Sequence, residues 1–283
     1  MTKAADDGTE PCSPAGAMRP VREFPDEARR SIRGVFCDID DTLTWNDRLP
    51  AVAYSALERL HEAGLLVVPI TGRPAGWCDA IARQWPVDAV VGENGAFYFR
   101  YDRERRRMVR RYWRTDEQRR ADRRRLDRIA EKVLSAVPGA QIAADQPYRE
   151  ADLAIDYRED VPPLPLSEAD RIKALCESHG AVAKISSIHV NAWFGEYDKL
   201  SMTRALMGEC FGFDLEADRD DFIFAGDSPN DAPMFAFFPN AVGVANLLRF
   251  EDRLTAKPRW LTEREGGFGF AELADLLLDK RMS

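Results

Sequence analysis

Nothing in this sequence approaches the unbroken apolar run of ~20 residues that a membrane-crossing helix needs. Met1–Arg30 is polar, rich in proline, alanine and mixed charge, and lacks the apolar stretch of a signal peptide. Its acids also count against an organellar transit peptide, so a disordered tail is expected there. Cysteine is sparse and scattered: Cys12, Cys37, Cys78, Cys176 and Cys210 are odd in number and share no metal-ligand spacing. That usage fits a reducing cytoplasm. Positive charge is also short, and a net charge of −8 argues against general nucleic-acid binding. The one exception is local, because residues 100–128 hold fourteen arginines against six acids. The expected reading is a solvated hairpin and an outer helix face, with an anion-attracting surface as the functional alternative. An RNA-binding arm is disfavoured because the stretch lacks the interleaved aromatics of a stacking platform. No internal repeat is present.

What remains is an ordinary composition, 45% hydrophobic and 31% charged over 283 residues, enough for one large or two modest domains. The first part alternates apolar strand runs and helical patterns. Ile32–Asp38 precedes a helix from Pro50 to about Ala63, stopped by Gly64. Leu65–Ile70 precedes a helix over Gly76–Gln84, and Ala89–Val91 is a short third strand. Strands separated by helices of this length imply βαβ units and a parallel sheet. The alternation then breaks. Ala96–Tyr101 and Met108–Trp113 read as a hairpin, and Thr115-Asp116-Glu117-Gln118 as a capping box opening a helix. Leu153–Tyr157 is a strand, Ser167–His179 a helix and Ala183–Phe194 a further strand. After Lys199 the α/β alternation resumes and runs through Leu278.

Four segments carry chemistry. Asp38-Ile39-Asp40-Asp41-Thr42 follows the first strand, and residues i and i+2 of a strand project to the same side. Asp38 and Asp40 can therefore approach one ligand from the carboxyl end, where open α/β sheets bind. Thr71-Gly72-Arg73 ends the second strand. Glu196-Tyr197-Asp198-Lys199 opens a helix, and Asp227-Ser228-Pro229-Asn230-Asp231 follows the strand Phe222–Ala225.

In that chain order the four segments resemble the motifs of the haloacid dehalogenase (HAD) superfamily of phosphotransferases. The resemblance implies a Rossmann-like α/β core over residues 31–97 and 195–283. It also implies an inserted α+β cap over 98–194, similar to the type-B C2 cap of subfamily IIB. By the same resemblance Asp38 is the nucleophile that forms an aspartyl-phosphate, and Asp40 is the general acid and then base. Thr71 would bind a phosphoryl oxygen, and Lys199 would neutralise charge on Asp38 and the phosphate. Mg²⁺ would be held by Asp38, the Asp40 carbonyl and Asp227, with Asp231 acting through a water or by orienting Lys199. Candidate substrate contacts are Thr71, Gly72, Arg73, Asn94, His189, Asn191 and Asn230. Asp41 stands where many relatives have glycine; if the turn needs positive φ, Asp tolerates it better than most residues.

The strand before Lys199 alternates Ser187, His189, Asn191 and Trp193 on one face with Ile188, Val190 and Ala192 on the other. It resembles the cap strand that contacts the sugar in phosphomannomutases and in sucrose- and mannosylglycerate-phosphate phosphatases. Glu93 and Asn94 resemble the Glu-Asn-Gly-Ala hinge of that subfamily. The expectation is a cytoplasmic, Mg²⁺-dependent phosphatase of a small phosphorylated metabolite, with a sugar phosphate favoured. No nucleic-acid or membrane partner is expected, and the oligomeric state is left open. The alternatives are a sugar phosphomutase using the same aspartates and a non-catalytic phosphate-binding module.

Overall fold

The computed structural model describes residues 17–279. Strands β1 (Arg19–Pro20), β2 (Gly34–Cys37), β3 (Leu66–Pro69) and β4 (Val90–Gly92) alternate with helices α1 (Asp26–Ser31), α2 (Ala51–Glu62) and α3 (Ala75–Gln84). A hairpin of β5 (Phe97–Asp102) and β6 (Arg107–Tyr112) leads to α4 (Asp116–Ala136). Next come β7 (Gln141–Ile142), β8 (Leu153–Asp156), α5 (Leu166–Ser178), β9 (Val182–Ile185) and β10 (His189–Trp193). The chain closes through α6 (Lys199–Leu206), α7 (Leu215–Asp218), β11 (Phe222–Gly226), α8 (Ala232–Phe237), β12 (Val242–Gly243), β13 (Trp260–Leu261) and α9 (Gly266–Leu278).

The main sheet has the order β1-β13-β12-β11-β2-β3, and every pairing in it is parallel. Both of its faces are covered, as an all-parallel sheet requires. Alternation along β2 shows how: Val35 and Cys37 enter the cluster that holds Leu57, Leu60 and Leu273. Phe36 enters the opposite cluster, with Met202, Phe224 and Met234. Register places Cys37 opposite both Pro69 and Ala225, so the residues after β2, β3 and β11 leave the sheet side by side.

A second, antiparallel sheet of order β7-β8-β10-β9 is backed by α4 and α5. Leu126, Ile129 and Val133 of α4 pack with Ile172, Ile155 and Val190. The Thr115 capping box opens α4 as expected, with Thr115 Oγ1 accepting from Gln118 N and Gln118 Oε1 accepting from Thr115 N.

Three local expectations need correction. Residues 17–30 are not a tail: β1 pairs with β13, and Val21 and Phe24 are buried against the core, while residues 1–16, including Cys12, lie outside the described residues. Val21 and Phe24, with Ala28 packed against the same cluster, dock that otherwise polar segment. The hairpin β5–β6 extends from β4 and sends Phe97, Phe99 and Tyr98 into the two core clusters, not into the cluster of α4 and α5. Finally, Ala183–Phe194 is two strands. Ser186 Oγ accepts from His189 N at 3.0 Å and closes a turn between β9 and β10.

Candidate active site

The site is built at the carboxyl ends of β2, β3 and β11. Asp38 N donates to Ala225 O at 2.9 Å, and Ile70 N donates to Cys37 O at 2.7 Å, which locks the three strand ends together. Asp38 is buried, and Lys199 Nζ donates to its Oδ1 at 2.8 Å and to Asp231 Oδ1 at 2.7 Å. Lys199 is the first residue of α6, where the helix dipole disfavours a cation. The two carboxylates overcome that and its burial, raising its pKa above the usual ammonium range. Burial pushes the Asp38 carboxyl up to about 7, with Asp231 and Asp40 acting in the same direction and Lys199 opposing them.

Asp231 is fully engaged. Its second oxygen accepts from Asp227 N at 3.1 Å, an approach open because position 226 is glycine: a Cβ there would lie 2.4 Å from Asp231 Oδ2. This arrangement favours orientation of Lys199 as its role. Asp227 is different. Thr42 Oγ1 donates to its Oδ1 at 3.0 Å, whereas its Oδ2 is buried without a partner. Carboxylate oxygens of Asp38, Asp227 and Asp231 lie within 4.8 Å of one another, and burial beside those acids raises the Asp227 pKa well above normal. An unpartnered carboxylate oxygen in a dense, buried, all-oxygen cluster fits a hard divalent cation such as Mg²⁺.

Thr71 is buried and its Oγ1 accepts from Arg73 N at 3.0 Å, leaving the hydroxyl hydrogen free to donate. Asn94 has φ of 55°, and its buried Nδ2 has no partner. It lies against Gly72, where a Cβ would come within 3.2 Å of that amide. Thr71, Gly72 and Asn94 therefore form one donor-rich corner beside Asn191, whose Oδ1 would lie 3.6 Å from the same Cβ. Asp41 has φ of 57°, the left-handed conformation that its turn demands. Arg73 Nε donates to both Asp40 oxygens at 2.9 and 3.0 Å, and its Nη2 donates to Glu159 Oε1 at 2.6 Å.

The polar face expected over residues 187–193 is spent inside the protein. His189 Nε2 is 2.9 Å from Glu159 Oε2, Asn191 Nδ2 donates to Asp152 Oδ2 at 2.9 Å, and Trp193 Nε1 donates to Tyr197 O at 3.3 Å. Asn230 is bound by Ser228 Oγ at 2.6 Å. It lines a separate cavity with Lys184 and Arg253, away from the cavity that Asp40 and Arg73 line.

Residues 35–119 match the family model of the haloacid dehalogenase-like hydrolases. That segment carries Asp38, Asp40 and Thr71, and over it the chain resembles those hydrolases. The chain is similar in fold to a protein of Thermoplasma acidophilum (TM-score 0.65, 18% identity, 87% of this chain and 98% of that one). It is similar to the C-terminal domain of trehalose-6-phosphate phosphatase from C. albicans (TM-score 0.66, 15% identity, covering 94% and 99%). It also resembles the sucrose-phosphatase of Synechocystis sp. PCC6803, solved with sucrose and phosphate (TM-score 0.58, 15% identity, covering 87% and 98%). No curated protein matches it in sequence.

The packing partners of one group of residues around this site were not legible in the sequence. The buried Glu93 carboxylate accepts N–H bonds from Ala75 at the start of α3 and from Glu150, Ala151 and Asp152 before β8. Burial, aided by Asp152, pushes its pKa up to about 7 against Arg149 and those N–H donors. Arg149 is completely buried, paired through Nε and Nη2 with Asp145, and donates to Gly72 O at 2.8 Å. Glu93 and Arg149 thus tie the corner of Thr71, Gly72 and Asn94 to the segment that leads into the second sheet. Glu159 is a further residue that the motifs did not announce, and Thr42, the hydroxyl that ends the first motif, is placed on Asp227.

Proposed function

We propose that this protein is a haloacid dehalogenase-like hydrolase, a Mg²⁺-dependent phosphatase that hydrolyses a small phosphate monoester through an aspartyl-phosphate at Asp38. The reading rests on one observation above all: Lys199 Nζ is 2.8 Å from the Asp38 carboxylate, beside a buried and unpartnered Asp227 oxygen. Monoester hydrolysis is among the slowest reactions in water, since a dianion repels the nucleophile and an alkoxide leaves poorly. Buried cationic and donor groups aimed at the phosphoryl oxygens answer the first difficulty, and an acid at the leaving oxygen answers the second.

The Asp38 carboxylate attacks phosphorus, and the ester P–O bond breaks as Asp40 gives its proton to the leaving oxygen. Asp40 then takes a proton from water, whose oxygen attacks phosphorus, releasing phosphate and restoring Asp38. Thr71 Oγ1 and the Asn94 amide donate to phosphoryl oxygens, and Lys199 offsets their charge. Asp38, Asp227 and the Asp40 carbonyl would hold Mg²⁺, which neutralises phosphoryl charge and fixes orientation. Asp231 keeps Lys199 in place. Sugar phosphates are the first substrates to try, given what two of the similar structures are named for. The free, largely buried Cys37, Cys78 and Cys176 suit a reducing compartment such as the cytoplasm, and no helix among the described residues is long and apolar enough to cross a membrane.

Phosphate release from a panel of monoesters tests this, with Mg²⁺ and then with the metal chelated. Release that needs Mg²⁺ is expected; no release from any ester overturns the reading.

A further inference from the structure

Beside Asp40 lies a cavity of about 390 Å³, in the range that holds small molecules. Asp40 and its neighbours Ile39 and Asp41 line it, and the nucleophile Asp38 does not. If Asp40 protonates the leaving oxygen, as proposed above, whatever that oxygen carries extends into this space. The inference rests on that reading.

The walls are apolar. Leu49, Trp77, Ile81, Trp85 and Ile188 face the cavity, coming from the loop after β2, from α3 and its end, and from the β9–β10 turn. Trp77 stands out. It is 44% exposed, whereas Trp193 and Trp260 are buried in the core, and the inward side of α3 is formed instead by Ala75, Cys78, Ile81 and Ala82. An indole held beside a catalytic acid without a core role offers a stacking surface. It already carries the Arg73 guanidinium at 4.5 Å from its ring.

The charges point the same way. Arg73, the sole cation of the lining among the described residues, is committed to Asp40 and Glu159. Asp41 and Asp47 add negative charge, so a second phosphate or carboxylate on the substrate would meet acids. A hexose would have to leave most of its hydroxyls against carbon, and a buried hydroxyl without a partner is costly.

We propose that the preferred substrate is the phosphate ester of an alcohol carrying an aromatic or similarly flat apolar group, with no second anionic group, stacked against Trp77 and Trp85. The absence of a free cation also sets this cavity against the bisphosphorylated primer that a sugar phosphomutase needs.

The test compares phenethyl phosphate with glucose 6-phosphate in Mg²⁺. Both have primary alkyl leaving oxygens, so intrinsic reactivity is matched and kcat/KM reports the cavity. The expected preference for phenethyl phosphate is roughly tenfold or more, the scale at which apolar pockets discriminate. Trp77→Ala should collapse that ratio, mainly through KM for phenethyl phosphate, and Trp77→Phe should restore most of it, with thermal melts confirming that both variants fold. Equal or better use of glucose 6-phosphate, or a ratio unmoved by Trp77→Ala, overturns this inference and leaves the phosphatase reading standing. Release from neither ester overturns this inference, and the phosphatase reading falls with it only if the whole monoester panel also gives none.

Discussion

The Arg73 guanidinium grips the carboxylate of Asp40, with Nη2 2.7 Å from Oδ1 and Nε within 3.0 Å of both oxygens. The same Nη2 reaches Glu159 at 2.6 Å, so the proposed acid and base is held from the loop after β8 as well as from its own strand end. A planar fork achieves this and an ammonium does not. Arg73→Lys should therefore lower kcat on the order of a hundredfold, the cost of a small misplacement of a reacting group. KM should change much less. Steady-state phosphate release measures the split.

Glu159 links that grip to pH. Burial favours its neutral form, but His189 and Arg73 outweigh burial and hold its pKa down to about 2. A carboxyl depressed by folding contributes stability that is fully present above the unfolded value, about 4.3. That contribution is lost as pH falls toward about 2. Melting temperatures of the wild type between those limits should fall more steeply than those of Glu159→Gln. Parallel curves would remove Glu159 from the account.

Lys199 pairs with two buried carboxylates, so its loss strands both. Lys199→Met should abolish phosphate release and destabilise the fold by about 3 kcal/mol or more, as broken buried pairs do. Urea unfolding of the variant gives the second number.

Glu93 satisfies four backbone N–H groups. Glu93→Ala leaves all four unpaired, at about 1–3 kcal/mol each for the buried N–H groups of Ala75 and Asp152 before any relaxation. The expected result is a large fall in stability, read by denaturant unfolding, together with faster hydrogen exchange at Ala151 and Asp152.

The catalytic candidates were legible because each sits at a fixed offset from an apolar run. Asp38, Thr71 and Asp227 follow β2, β3 and β11, and parallel register brings such ends together. Lys199 was legible through the helix it opens. Asp145, Arg149 and Asp152 were not, and Glu93 was marked only by its resemblance to a hinge, because charged residues in loops read as solvated until long-range folding buries them against one another. The turn at Ser186 was hidden by an alternating pattern that continues across it, and that pattern suggested a sugar-gripping face. Closing the turn puts Ile188 into the cavity instead and leaves His189 and Asn191 with protein partners. The docking of residues 17–31 was missed because Val21 and Phe24 are two anchors in a polar stretch.

The central claim is that the Asp38 carboxylate becomes phosphorylated during turnover. Acid-quenching the Mg²⁺-loaded enzyme with a hydrolysable ester and mapping the peptides by mass spectrometry tests it most directly. One phosphoryl group is expected on the peptide carrying Asp38, with none in Asp38→Asn, a variant that should also release no phosphate. Label on another residue, or sustained phosphate release by Asp38→Asn, would contradict it.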